Sequence, residues 1–235
     1  MKIALLGYGK MGKIIERIAL ERGHTIVYTK QRSQTTGELE KADVAIDFSV
    51  PSIAVDNIKE AINSNVPVVC GTTGWLEQYK EVVDFCKTKD SAFLYGSNFS
   101  LGVNLFFELN NYLAEMMQKL EQYKVSMQEI HHTEKLDAPS GTAITLAEGI
   151  MAHSKYESWT LDSNTTANQI HIDAVRKDKV PGTHTVCYDS GIDQIEIKHT
   201  AHNREGFALG AVIAAEWIKD KKGIFSMKDV LNLKK

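Results

Sequence analysis

Cysteine is scarce in this chain of 235 residues: Cys70, Cys86 and Cys187 are scattered and odd in number. That excludes a disulfide-stapled scaffold, points to a reducing compartment and, with no Cys-x-x-Cys pair, disfavours a zinc site, so no metal is expected. Long hydrophobic runs are missing too. Nothing approaches the roughly twenty apolar residues that span a bilayer, and Met1-Lys-Ile-Ala-Leu-Leu-Gly7 enters a glycine turn directly where a cleavable signal would continue. The expected location is therefore the cytoplasm, with no membrane partner. Positive charge is not in excess either: 27 Lys and Arg against 30 Asp and Glu give a formal charge of −3. Nucleic acid is disfavoured as a partner. No internal repeat or low-complexity segment is present.

What is there is ordinary globular composition, 43% hydrophobic and 24% charged, enough for one large or two modest domains. Through the first hundred residues, short apolar runs (2–7, 24–29, 44–48, 66–70, 92–95) alternate with helical patterns (10–22, 52–64, 75–88). That alternation predicts a parallel sheet with helices on its faces. From residue 101 the pattern changes. A long helix to about 120 precedes a strand over 123–130, a helix over 141–154, and three strands, 169–175, 183–189 and 194–199, with little helix between them. Consecutive strands predict a mixed or antiparallel sheet and a second domain. A last amphipathic helix, 207 to about 219, is expected to return to the first domain.

Gly7-Tyr8-Gly9-Lys10-Met11-Gly12 follows an apolar run and opens a helix, the context that a dinucleotide fingerprint requires. Glycines there permit the tight turn and the close approach of a pyrophosphate; a purely structural strand-to-helix turn is the competing account. The second strand ends Val27-Tyr-Thr-Lys-Gln-Arg32, with no carboxylate to accept the ribose 2′-OH. Lys30 and Arg32 suit a 2′-phosphate, so NADPH is favoured or at least accepted, although either is equally a solvated cation. Gly71-Thr72-Thr73-Gly74 falls at the carboxyl edge of the sheet, where open α/β sheets bind ligands and where a flat ring can approach the backbone. The expected fold is α/β: a Rossmann-type doubly wound parallel sheet (1–98 and 206–235) plus a second α+β domain with a mixed sheet (99–205).

The most informative stretch is Glu129-Ile-His-His-Thr-Glu-Lys-Leu-Asp-Ala-Pro-Ser-Gly-Thr-Ala143. A strand delivers His131 and His132 to opposite faces, so only one faces a given ligand directly. Lys135 adds a mobile positive charge. Ser140 is a good N-cap after Pro139, leaving the N–H groups of Gly141 and Thr142 at a helix N-terminus that suits a carboxylate or phosphate. A solvated strand end followed by an ordinary cap also fits these residues.

Taken together, these segments resemble the dihydrodipicolinate reductase family of lysine and diaminopimelate biosynthesis. The resemblance runs nearly end to end, through Gly7 to Gly12, Ala45-Ile-Asp-Phe-Ser49, Gly71-Thr-Thr-Gly74, Ser97-Asn-Phe-Ser-Leu-Gly-Val-Asn104, the 129–143 segment, His199-x-Ala-x-x-Arg204 and Phe207-Ala-x-Gly-Ala211. It implies an oxidoreductase using NADPH and/or NADH that reduces 4-hydroxy-tetrahydrodipicolinate, a small dicarboxylate, to tetrahydrodipicolinate with loss of water. Hydride reaches the conjugated C4 of the substrate ring, the ring nitrogen is the electron sink, and a proton is delivered to carbon. It further implies His131 as general acid and Lys135 as its catalytic partner. His132, Ser140, Gly141 and Thr142 would hold the carboxylates, and the cofactor would meet Gly7 to Gly12, Lys30, Gly71, Thr72, Thr73, Ser97, Phe99 and Arg204. Family members are usually homotetramers joined through the substrate-domain sheet.

Two features depart from the family pattern. Thr133-Glu134 replaces basic or polar residues beside Lys135, and the run from Val175 to His184 lacks the paired glycines often found there. Two other functions share parts of the pattern. Another two-domain reductase, such as an aspartate-type amino acid dehydrogenase, would need the cofactor loop but not the histidine cluster, and a silent nucleotide sensor would bind without turnover. The chain passes between domains at 97–99 and 204–207, two expected hinges, with Arg204 either bridging ligands at the second or serving as a surface ion-pair residue.

Overall fold

The computed structural model describes residues 1–32 and 34–233, so positions 234 and 235 of the expected cofactor domain lie outside the described residues. The chain opens with β1 (Lys2–Leu6), α1 (Lys10–Glu21), β2 (Thr25–Lys30), β3 (Thr35–Gly37), β4 (Val44–Asp47), α2 (Pro51–Asn63), β5 (Val68–Cys70), α3 (Tyr79–Thr88) and β6 (Ala92–Tyr95). It continues through α4 (Leu101–Met117), β7 (Lys124–His131), α5 (Gly141–Met151), β8 (Ser158–Thr160), β9 (Gln169–Arg176), β10 (Gly182–Asp189) and β11 (Gln194–Ala201). Then come α6 (Glu205–Ile218), β12 (Gly223–Phe225) and α7 (Met227–Val230). Two compact units result, Met1–Leu101 with the segment from Glu205 on, and Gly102–Arg204.

In the first unit, seven strands lie in the order β12-β6-β5-β4-β1-β2-β3, all parallel except the antiparallel edge strand β3. The strand order reverses between β1 and β4, which makes the carboxyl ends of those strands a ligand-binding crevice. This is the doubly wound sheet expected from the alternating pattern. Both faces are covered, so its strands read as continuous apolar runs. Ile3, Leu5, Val44, Ile46, Val69 and Leu94 share one core with residues of α1 and α6. Ala4, Leu6, Ala45, Val68, Cys70 and Phe93 share the other with α2 and α3. Helix α6 is rich in alanine because it packs close: a Cβ on Gly210 would lie 1.7 Å from the Phe99 carbonyl oxygen.

Several boundaries differ from the periodicity, each for a local reason. The segment between β2 and β4 is too short for a crossover helix and makes the hairpin strand β3 and a 3-10 turn, Leu39–Lys41. The helix expected over 75–88 begins as a 3-10 turn, Leu76–Gln78, because Trp75 is buried and its Nε1–H donates to the Thr72 carbonyl at 2.7 Å. Strands β3, β8 and β12, three residues each, are too short to carry a period of two, whereas the equally short β5 lies in an expected apolar run.

In the second unit, five strands run β11-β10-β7-β9-β8. β10 is antiparallel to β7 and β11, while β9 is parallel to β7 and β8, so the sheet is mixed, as consecutive strands implied. Val125, Met127, Val186, Tyr188, Ile170 and Ile172 point to one face, where they share a core with Phe106, Leu113 and Met117 of α4 and Leu146 and Ile150 of α5. The intervening residues of β7, including Ser126 and the exposed Gln128, occupy the other face. All three cysteines are free. Among the described residues, no helix is long and apolar enough to cross a membrane.

Candidate active site

The cofactor end of the first unit is built from backbone. Gly7 has φ +105°, and a Cβ there would lie 2.3 Å from the Phe48 carbonyl oxygen. A Cβ on Gly12 would lie 2.5 Å from the Gly7 carbonyl oxygen, whereas one on Gly9 would meet nothing within 4 Å. Two glycines thus let the loop fold tightly, and the third leaves its outer side open. Gly9 is the N-cap of α1 and offers no side-chain cap, so the first N–H groups of the helix have no intrahelical acceptor. An open loop on uncapped helix N–H groups fits a pyrophosphate.

The surrounding side chains have defined tasks. Tyr8 donates its hydroxyl to Glu16, Met11 packs on the core, and Lys10 is exposed. The carbonyl of Lys30 accepts the N–H groups of Gly7 and Tyr8 at 3.1 and 3.0 Å, while its ammonium pairs with Glu60 at 2.5 Å. Lys30 therefore anchors the glycine loop through its backbone, and its charge is already matched. Arg32 is exposed.

At the ends of β4 and β5, the buried Asp47 organises the second loop. It accepts from Thr72 Oγ1 at 2.6 Å and Asn57 Nδ2 at 2.9 Å, and Thr72 Oγ1 in turn accepts the Ser49 N–H at 2.8 Å. Burial raises the Asp47 carboxyl above its usual range, against the hydrogen bonds from Thr72 and Asn57. The Thr72 hydroxyl is thus committed to the protein, and Thr73 is the exposed threonine of the pair. The flat ring that meets Gly71 is Phe48, whose Cζ would lie 2.3 Å from a Cβ there. Phe99 is 1% exposed, with its ring 5.6 Å from that of Phe48. Its side chain is a core element, which differs from the expectation that it faces the cofactor; Ser97, two residues earlier, is exposed.

In the second unit, sheet register creates a buried polar cluster. His184 on β10 lies opposite Glu129 on β7, and Arg176 on β9 lies opposite His131. Glu129 and His131, two apart, share a face of β7. The Glu129 carboxylate is fully buried and accepts Arg176 Nη2 at 3.1 Å and the Ser140 N–H at 3.0 Å. Its Oε2 is 3.5 Å from His131 Nδ1 and 3.8 Å from His184 Nε2. Burial opposes charge on Glu129, but the bonds from Ser140, the neighbouring His131 and the Arg176 guanidinium outweigh it, so the carboxyl stays below its usual range. Burial lowers His131, and Lys135, Arg176 and His132 add to that against the upward pull of Glu129. His184 is driven down to about 4, chiefly by burial.

Ser140 caps α5 with its hydroxyl accepting the Ala143 N–H at 3.3 Å, and the same oxygen shares a hydrogen bond of 3.1 Å with His184 Nε2. It is buried, so the exposed Gly141 and half-buried Thr142 form the outer part of this helix start. Lys135 pairs with both oxygens of Asp137, at 2.7 and 2.8 Å, rather than with Glu134. Arg176 also donates to the Asp137 carbonyl at 2.6 Å and to the Lys135 carbonyl at 3.4 Å, fastening the loop between His132 and Ser140. The altered run from Val175 completes this anchor, with Lys177 N–H on the His131 carbonyl at 2.8 Å and Thr133 N–H on that of Asp178 at 3.2 Å.

His132 turns away from the cluster into a cavity of about 830 Å³ lined by Thr133, Glu134, Asp178, Pro181 and Arg204 among others. Arg204 Nη2 donates to His132 Nε2 at 3.3 Å. The residue expected among the cofactor contacts thus belongs to the second unit and stands beside His132. Glu129, Arg176, His184, Asp137 and Asp47 were given no role from sequence. The spacing of two between Glu129 and His131 was a usable signal, and so was that between Lys135 and Asp137; Arg176 and His184 depend on sheet register. Glu129, His131 and His184 each bring a ligand-type atom within 4.8 Å of the others. The Arg176 guanidinium already supplies the positive partner on Glu129, and the set suits proton handling.

A doubly wound sheet with an open glycine loop, joined to a mixed-sheet unit carrying a histidine and carboxylate cluster, defines an α/β oxidoreductase of the dinucleotide-binding class. Family models described as "Dihydrodipicolinate reductase, N-terminus" and "Dihydrodipicolinate reductase, C-terminus" match residues 1–99 and 102–231. A 4-hydroxy-tetrahydrodipicolinate reductase of Christiangramia forsetii is 57% identical over 235 residues, covering 99% of this chain and 98% of that protein. One of Methanocaldococcus jannaschii is 38% identical over 201 residues, covering 82% of this chain and 72% of that protein. The solved dipicolinate-bound dihydrodipicolinate reductase of Paenisporosarcina sp. TG-14 shares the fold, with a TM-score of 0.78 at 20% identity over 100% of this chain and 99% of that one. The chain belongs to the dihydrodipicolinate reductase family.

Proposed function

We propose that this chain catalyses the NAD(P)H-dependent reduction of 4-hydroxy-tetrahydrodipicolinate to tetrahydrodipicolinate with loss of water, in the route to diaminopimelate and lysine. The observation that carries the proposal is His131: a buried imidazole backed by Glu129, on the strand that leads through Lys135 into the Ser140-capped N-terminus of α5. The glycine loop and the N-terminus of α1 are suited to hold the cofactor pyrophosphate, with Thr73 and Ser97 as exposed residues near the strand ends. A bound reduced nicotinamide supplies hydride to the conjugated ring carbon.

The protein's own residues do the rest. The Gly141 and Thr142 N–H groups bind a carboxylate at the positive end of α5. Lys135, released from Asp137, and the pair of His132 and Arg204 bring positive charge and donors to a dianion. His131 gives a proton to ring carbon once the ring nitrogen has accepted the electron pair. An imidazole lowered from its usual range gives up a proton readily, and a bound dianion favours its charged form beforehand. With Lys30 paired to Glu60 and no carboxylate at the end of β2, both NADH and NADPH are accepted. Three free thiols suit a reducing cytoplasm.

We further infer a homotetramer. The exposed residues Leu105, Leu109, Tyr112 and Met116 form one stripe on α4, and the outer face of the second sheet carries the half-buried Ser126 and Ile130 and the exposed Gln128, so both offer surface to further copies. Sedimentation equilibrium tests this through the mass. The activity is tested by coupling the protein to the preceding synthase with pyruvate and aspartate semialdehyde and following cofactor absorbance. Steady oxidation that requires the synthase product is expected; binding of cofactor without oxidation would leave a nucleotide sensor.

A further inference from the structure

We propose that Glu129 is a positioning residue that fixes which nitrogen of His131 faces the substrate. This rests on the reading of His131 as proton donor and adds how the donor is oriented. The carboxylate cannot turn: Arg176 Nη2 holds Oε1 at 3.1 Å, and the Ser140 N–H holds Oε2 at 3.0 Å. His131 Nδ1 lies 3.5 Å from Oε2 and, among the described residues, has no hydrogen-bond partner. A lone pair on Nδ1 would confront a buried negative charge at that distance, whereas an N–H there is attracted to it. The ring is therefore held with its proton on Nδ1, and the contact tightens when the ring becomes imidazolium.

Nε2 is left for the reaction. It faces Gly182, where a Cβ would stand only 3.1 Å away, so the missing side chain leaves room at that nitrogen. His184 buttresses the arrangement. Its ring centroid is 5.0 Å from that of His131 at an interplanar angle of 70°, and its Nε2 is tied to Ser140 Oγ. The charged and titratable groups facing His131 are Glu129 on its own strand, His184 on β10, Arg176 on β9, and His132 and Lys135 on the following turn. Glu129 is the one among them that attracts a proton. It thereby joins the capping of α5, through the Ser140 N–H, to the orientation of the donor, so one carboxylate aligns the two halves of the dicarboxylate site.

The test is the tautomer of His131, read in the native protein from long-range ¹H–¹⁵N correlations at about pH 8, above the ordinary histidine range. Assignment comes from the spectrum of His131→Gln. A protonated Nδ1 with an unprotonated Nε2 is expected; the reverse tautomer overturns the proposal whatever the activity. Glu129→Gln should lower kcat by about 10- to 10⁴-fold, the span between losing a partner that orients a metal-bound histidine and losing the carboxylate of a catalytic triad, with substrate KM changed only a few-fold. Its His131 signals should shift toward the Nε2-protonated form. Native-like kcat in a folded Glu129→Gln protein would also overturn the proposal. If that variant does not fold, the native tautomer alone decides. Failure of the underlying reading looks different: His131→Gln would then keep its turnover.

Discussion

The glycine loop of the first unit and the histidine cluster of the second are assembled differently. Gly7 to Gly12 form one contiguous stretch, a turn held by the Lys30 carbonyl that runs into the start of α1 without a side-chain cap, and the neighbouring side chains of Tyr8 and Lys30 are spent on Glu16 and Glu60. The cluster around His131 draws on β7, β9, β10 and the start of α5, joining residues 44 and 47 apart in sequence through buried side chains. A backbone site tolerates change in its side chains. A side-chain site fails when one member is lost, because the group left behind is buried without its partner.

The largest effect that distinguishes the two regions should come from His131→Gln. Turnover is expected to fall by about 10²–10⁴-fold with little change in substrate KM, since a proton donor acts mainly in the transition state. Steady-state kinetics with saturating cofactor check it, and near-native turnover would remove His131 from that role.

Next comes stability. Arg176→Met strands the buried Glu129 charge, and removing one partner of a buried pair costs about 3–5 kcal/mol. The 20% exposure of the Arg176 side chain places the expectation at the lower end of that range. Arg17→Met in the first unit breaks ion pairs with Glu21 and Glu205 whose side chains are about half exposed, and solvent-screened surface pairs contribute little, so a much smaller loss is expected. Urea unfolding of the two variants measures the contrast; equal losses would erase it.

A smaller effect lies in pH. His184 is lowered from 6.5 to about 4 by burial, so between those values the unfolded chain takes up a proton that the folded chain refuses. The stability it contributes is complete above pH 6.5 and declines as pH falls toward 4. Unfolding of the native protein and of His184→Asn across this window should give different slopes, with the variant flatter. Parallel slopes would mean that His184 is not held neutral.

The smallest effect should be at the end of β2. Lys30→Ala and Arg32→Ala are expected to change the KM values for NADPH and NADH by only a few-fold, because the Lys30 ammonium is matched by Glu60 and Arg32 is exposed. Steady-state kinetics with each cofactor check this. A large loss confined to NADPH would show that these cations leave their resting positions to hold a 2′-phosphate.

How much was legible in the sequence follows the same division. The glycine loop, the order of the long elements and the change from alternating to consecutive strands all lie in local pattern, and they carry the fold. His131, Lys135 and the Ser140 helix start stand in one stretch, so the sequence brought them together. Arg176 and His184 did not stand out, since nothing local marks a residue that acts through its register opposite β7. For Phe99 and Thr72 the sequence did not show where the side chains go: Phe99 fills the core beside Phe48, and the Thr72 hydroxyl is bound to the buried Asp47. Three-residue strands such as β8 and β12 owe their form to the strands beside them.

The most direct measurement of the central claim is where the hydrogens go. With deuterium at C4 of the reduced nicotinamide in ordinary water, and with the synthase supplying substrate, the product should carry one deuterium, on the ring carbon that receives hydride. With unlabelled cofactor in heavy water, label should appear on the carbon protonated through His131, and His131→Gln should slow both incorporations together. Product that takes no label from the cofactor, or oxidation of cofactor without a labelled ring product, would contradict the account.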